Sequence, residues 1–106
     1  MNAKELHELL KKSGLPQSKV YDAHNKYYSG SGYPNRETRK KYTDYCSHLI
    51  DGMVENGGKE EEFERALLFS FVCIDSIKYK LSILKAKEDL GIDELYLKYY
   101  VKSNSQ

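Results

Sequence analysis

The stretch Glu60-Glu61-Glu62-Phe63-Glu64-Arg65-Ala66-Leu67-Leu68-Phe69-Ser70-Phe71-Val72-Cys73-Ile74-Asp75-Ser76-Ile77-Lys78-Tyr79-Lys80-Leu81-Ser82-Ile83-Leu84-Lys85-Ala86-Lys87-Glu88-Asp89 decides the fold. It opens with Glu60, Glu61, Glu62 and Glu64, acids placed where the positive end of a helix dipole favours them. Phe63, Leu67, Ser70, Ile74, Ile77, Leu81 and Leu84 then follow alternating steps of four and three, the seam of a coiled-coil-like helix. A second stripe, Leu68, Val72, Tyr79 and Ile83 with Phe69 beside it, lies on roughly the opposite side. A helix that is apolar on both sides must be covered on both sides. The core is therefore expected to form around this helix, the fourth in the chain.

Upstream, Asn56-Gly57-Gly58 ends a preceding helix, because glycine enters the left-handed conformation without penalty. That third helix starts after Asn35, a side-chain cap, and carries Tyr42, Tyr45, Cys46, Leu49, Ile50, Met53 and Val54 on one face. Before it, Ser29-Gly30-Ser31-Gly32-Tyr33-Pro34 reads as a loop. Pro16 suits the first turn of a second helix running to about Tyr28. Asn2 can cap a first helix over residues 3–13, with Leu6, Leu9 and Leu10 inward and Gly14 as its stop. Downstream, Gly91 ends the fourth helix, and Asp93 is placed to cap a short fifth one carrying Leu95, Tyr96 and Tyr99, with residues 103–106 fraying. No stretch shows strand alternation. The expectation is one all-α domain over residues 1–106, a bundle-like arrangement of four to five helices around the fourth.

Composition narrows the function. With 106 residues, 31% charged and a net charge of +1, the chain has the make-up of an ordinary folded domain. Lysines and glutamates are spread through Met1 to Lys12, leaving no apolar core for a secretory signal. The longest uncharged apolar stretch, Ala66 to Ile74, is far short of the ~20 residues that span a bilayer. A soluble, cytoplasmic protein is expected, and in such a reducing compartment Cys46 and Cys73 read as buried free thiols.

Catalysis finds no residues to carry it. His7, His24 and His48 fall on three different helices, and Cys46 with His48 is an i, i+2 pair whose side chains diverge. Neither a nucleophile elbow, a Walker-type loop nor a His-Glu-x-x-His sequence occurs. The chain is read as a non-enzyme needing no metal and no cofactor.

Two features suggest binding instead. Residues 1–45 hold nine Lys/Arg against five Asp/Glu, a net +4, whereas residues 46–75 hold two against seven, a net −5. Within the positive part, Arg36, Lys40, Thr43 and Ser47 share a stripe of the third helix, with Arg39 and Lys41 flanking it, a candidate nucleic-acid face. The second feature is ten tyrosines against three phenylalanines and no tryptophan. Tyr27, Tyr28 and Tyr33 near the loop, and Tyr96, Tyr99 and Tyr100 near the C-terminus, are too many for so small a core. They are candidates for a protein-binding surface, since exposed tyrosine gives contact area at low entropic cost.

The residues Leu10-Lys11-Lys12-Ser13-Gly14-Leu15-Pro16-Gln17-Ser18-Lys19-Val20 resemble the opening of phage-repressor-type helix-turn-helix domains. That resemblance implies DNA binding with Arg36, Lys40 and Thr43 as contact residues. The connection over residues 29–34 is longer than the three- or four-residue turn of that family. The helical layout with an aromatic C-terminal segment is also similar, in layout alone, to small bacteriocin immunity proteins. The favoured expectation is a protein-binding module, such as an inhibitor, immunity, antitoxin or counter-defence protein of a bacterium or mobile element, that occupies a partner's surface. A DNA-binding regulator is the alternative. A homodimer is expected through the second stripe of the fourth helix, Phe69, Val72, Tyr79 and Ile83, because so few other helices are left to cover it.

Overall fold

The computed structural model describes residues 1–30 and 34–104. Six helices form among them: α1 (Ala3–Lys12), α2 (Gln17–Tyr27), α3 (Arg36–Asn56), α4 (Glu60–Tyr79), α5 (Ile83–Asp89) and α6 (Ile92–Asn104). The fold is all-α. Two of the expected caps are made: Asn2 and Glu5 form a reciprocal capping box on α1, and the Asn35 side chain accepts from the Thr38 amide of α3 at 2.7 Å. Gly57 ends α3 in the left-handed conformation. α6 continues through Asn104, past the expected point of fraying.

The helix count exceeds the expected four to five because the long fourth helix is broken. Lys80 adopts φ 54, ψ 53, a left-handed conformation that a residue with a Cβ enters at a cost of ~1–2 kcal/mol. The break is held by the end of α2. Tyr28 and Leu81 form an isolated antiparallel bridge, with the Ser29 amide on Lys80 O at 2.8 Å and the Ser82 amide on Tyr27 O at 2.7 Å. Leu81 is buried by this turn, and the Ser82 hydroxyl caps α5 through the Lys85 amide. Burial and pairing together offset the strained residue.

α4 lies centrally, in contact with every other helix, and α3 packs along both α4 and α6. The Cα radius of gyration, 13.0 Å, is that of a compact chain of about 100 residues. The buried line of α4 is Glu62, Ala66, Phe69, Cys73 and Ser76, with Ser70 and Val72 beside it. This differs from the expected seam: Ile77 and Leu84 are exposed, and Phe63, Leu67 and Ile74 are half-buried. The two serines of this inner face have their hydroxyls satisfied within the helix. Ser70 donates to Ala66 O and Ser76 to Cys73 O.

The proposed dimer stripe is corrected by the same packing. Phe69, Val72 and Ile83 are 0%, 0% and 2% exposed within one chain, so they are already covered and cannot meet a second copy while this fold persists. Tyr79 alone of that set reaches the surface. Ile83 belongs to α5, the element created by the break at Lys80, and Phe69 packs edge-on against the Tyr42 ring of α3. Asp93 does not cap its helix either. α6 begins one residue earlier, and Asp93 accepts from the Tyr45 hydroxyl at 2.8 Å and pairs with Lys87 at 3.1 Å.

Candidate functional site

α2 presents two faces. Val20, Ala23 and Tyr27 point into the core, and Tyr27 donates its hydroxyl to Asp89 at 2.5 Å, which ties α2 to the end of α5. The edge running Gln17, Tyr21, His24, Asn25, Tyr28 advances by four, three, one and three residues, so these side chains line up along one side of the helix. Opposite stands Tyr79, in the last turn of α4. Together the six enclose a cleft of about 290 Å³.

The cleft walls are exposed aromatic rings held by polar contacts. Tyr21, Tyr28 and Tyr79 are 65%, 57% and 42% exposed. His24 stacks on Tyr79 with ring centroids 4.6 Å apart, and its Nε2 lies 2.9 Å from Asp75 Oδ2. A carboxylate can only accept, so that contact places the imidazole proton on Nε2 and fixes the ring against α4. Lys78 Nζ lies 5.3 Å from the Tyr79 ring centre. The helix pair thus sets Tyr79 and His24 rigidly, while Tyr21 and Tyr28 offer their rings to solvent. Gln17 and Asn25 add amides that can both donate and accept. Phenols and amides around a hollow suit adaptable contact with a protein surface.

The other tyrosines expected at an interface serve the fold. Tyr99 is buried and donates to the Glu62 carboxylate, which also accepts from Lys98 at 2.8 Å and from the Lys59 amide at 2.9 Å. These contacts hold the Glu62 carboxyl down at about 2. Tyr96 and Tyr100 are half-buried members of a ladder between α3 and α6. Tyr45 stacks on Tyr96 at 3.7 Å, Tyr96 on Tyr100 at 4.4 Å, and Tyr100 on His48 at 5.6 Å. Burial and the Asp93 contact push the Tyr45 hydroxyl well above its ordinary pKa. Tyr27 is likewise buried. Of the six tyrosines expected to form a surface, Tyr28 is exposed, and Tyr33 lies outside the described residues.

The basic stripe of α3 does not assemble as a contact face. Arg36 and Lys40 are exposed, with Lys40 paired to Asp44 at 3.2 Å. Arg39 turns toward α4 and donates to Ile74 O at 2.8 Å. Thr43 donates to Arg39 O, and Ser47 is buried with its hydroxyl directed to Thr43 O at 3.3 Å. α3 is a core helix, so Thr43 and Ser47 of that stripe and the flanking Arg39 are committed inward or to their own backbone.

Tyr21, His24, Asn25 and Tyr79 enter the site only through the structure. The spacing of Gln17, Tyr21, His24 and Tyr28 along α2 was a legible signal for part of it. Among the described residues no three His, Cys, Asp or Glu side chains gather to hold a metal ion, and no helix is long and apolar enough to cross a membrane. Comparisons with protein-family models, with curated proteins and with solved structures return no match to this chain.

Proposed function

We propose that the chain is a non-catalytic protein-binding module that docks a partner protein over the α2–α4 cleft, occupying the partner's surface as an inhibitor, immunity or antitoxin protein does. The observation that carries this reading is the exposure of Tyr21, Tyr28 and Tyr79 around one hollow. Large aromatic side chains at the rim of a cavity are the kind that dominate binding energy when a partner covers them. The amides of Gln17 and Asn25 supply directional contacts, and the hydrogen bond of His24 to Asp75 fixes one wall in advance, which lowers the entropy lost on docking. Protein is favoured over nucleic acid as partner because the cleft carries no lysine or arginine among its lining residues, and the basic stripe of α3 is dispersed.

Photocrosslinking tests the proposal. A photoreactive phenylalanine at Tyr21 or Tyr28, in lysate of the source organism, should trap a protein whose capture survives nuclease treatment. Tyr21→Ala combined with Tyr28→Ala should abolish capture by a probe placed at Gln17 without moving the melting temperature, since both rings are exposed. Capture that vanishes with nuclease, or persists undiminished in the double variant, would reject the proposal.

A further inference from the structure

Cys46 of α3 and Cys73 of α4 face each other across the central helix pair, 1% and 0% exposed, with their Sγ atoms 3.8 Å apart. Both thiols are free. Two cysteines separated by 27 positions in sequence meet here because each falls on the buried line of its own helix. We propose that they are a cystine-forming site: on two-electron oxidation by a low-molecular-weight disulfide such as oxidised glutathione, Cys46 and Cys73 join and staple α3 to α4.

The chemistry balances as thiol–disulfide exchange. One cysteine thiolate attacks a glutathione sulfur, forming a mixed disulfide and expelling one glutathione thiolate. The second cysteine attacks the protein sulfur of that mixed disulfide and expels the other glutathione. Two protein thiols are oxidised, one glutathione disulfide is reduced to two glutathione molecules, and the two thiol protons pass to them. Closure needs the sulfurs to come from contact distance to about 2.0 Å, a movement that rotation of two side chains can share. The apolar surroundings push the Cys73 thiol well above its ordinary pKa, so attack is slow in the closed fold and proceeds through transient opening of the helix pair. What the geometry changes is the position of equilibrium. Holding the thiols in contact raises their effective concentration over that in an unfolded chain, and a crosslink closing so long a loop stabilises the fold in return.

The test uses the unsubstituted full chain, equilibrated in graded mixtures of reduced and oxidised glutathione, once folded and once in concentrated guanidinium chloride. Acid quenching, alkylation and mass measurement then count the species lighter by two hydrogen atoms. The effective concentration of the pair should be higher in the folded chain by about tenfold or more, and the oxidised protein should melt higher by about 10 °C. Cys46→Ser and Cys73→Ser should each give only the glutathione adduct. An effective concentration no higher in the folded chain than in denaturant, or an oxidised form that melts lower than the reduced one, would overturn the proposal.

Discussion

Tyr99 donates its hydroxyl to Glu62, a carboxylate only 5% exposed at the start of α4, and this contact fastens the C-terminal helix to the central one. Lys98 and the Lys59 amide complete its coordination. The folded pKa, about 2, lies below the ordinary value of 4.5, so the contribution to stability is fully present above that ordinary value and is lost as pH falls toward 2. Asp89 and Asp93 are also held below their ordinary range, Asp89 chiefly by Tyr27 and Asp93 chiefly by Tyr45, and they add to the same loss. The melting temperature should therefore decline between about pH 5 and pH 2. Glu62→Gln should melt lower at neutral pH and show a shallower decline across that window. An equally steep decline in the variant would mean that Glu62 is not the anchor.

Gly52 of α3 sits against the backbone of α6 at Tyr99 and Tyr100. A Cβ there would stand 3.0 Å from Tyr99 O and 3.1 Å from Tyr99 C, backbone atoms that cannot turn aside. In an exposed helix interior, replacing glycine by alanine stabilises by about 1 kcal/mol. At this position the sign reverses. Gly52→Ala should lower the melting temperature and weaken the Tyr45–Tyr96 stack, which near-ultraviolet circular dichroism reads directly.

Lys80 carries the left-handed turn between α4 and α5. Glycine adopts that conformation without the Cβ clash, so Lys80→Gly should raise stability by about 0.5–1 kcal/mol in denaturant unfolding. A clear loss in that variant would show that the lysine side chain outweighs the strain of its backbone.

Val72 separates two accounts of α4. Were its stripe a dimer seam, Val72→Glu would leave a helical monomer. Because Val72 is enclosed within one chain, the substitution buries an unpaired carboxylate in the core and should abolish cooperative thermal unfolding at neutral pH. Light scattering on the unsubstituted chain gives the mass directly, to be set against the 12.3 kDa of a single copy.

The fold class and the caps at Asn2, Asn35 and Gly57 were legible in the sequence because they rest on local chemistry: side-chain acceptors, helical periodicity and glycine at a turn. The inner face of α4 was legible in part: Phe69, Ser70, Val72 and Cys73 were expected to be covered and are, whereas Ala66 and Ser76, small side chains with little hydrophobicity, gave no signal of their burial. The break at Lys80 was hidden for a different reason. A lysine takes the left-handed conformation there only because residues of α2 pair with the turn, a partnership no local window contains. Which tyrosines reach the surface was not legible. Tyr27 and Tyr99 turn inward to carboxylates, and Tyr21, masked by a polar helix, was passed over. Separating the two groups requires knowing where Asp89 and Glu62 lie.

The bridge between Tyr28 and Leu81 also imposes an order of assembly. The last carbonyl of α2 and the amide of Ser29 find their partners in Ser82 and Lys80, residues that a ribosome adds long after α2 has emerged. Until the α4–α5 turn exists, the end of α2 has only water to bond, and a short isolated helix in water is marginal. Pairing so distant in sequence slows folding relative to helical proteins built from neighbouring contacts. The cleft that holds Tyr21 and Tyr28 gains its opposite wall, Tyr79, in that same event, so a nascent or partly folded chain has no complete cleft.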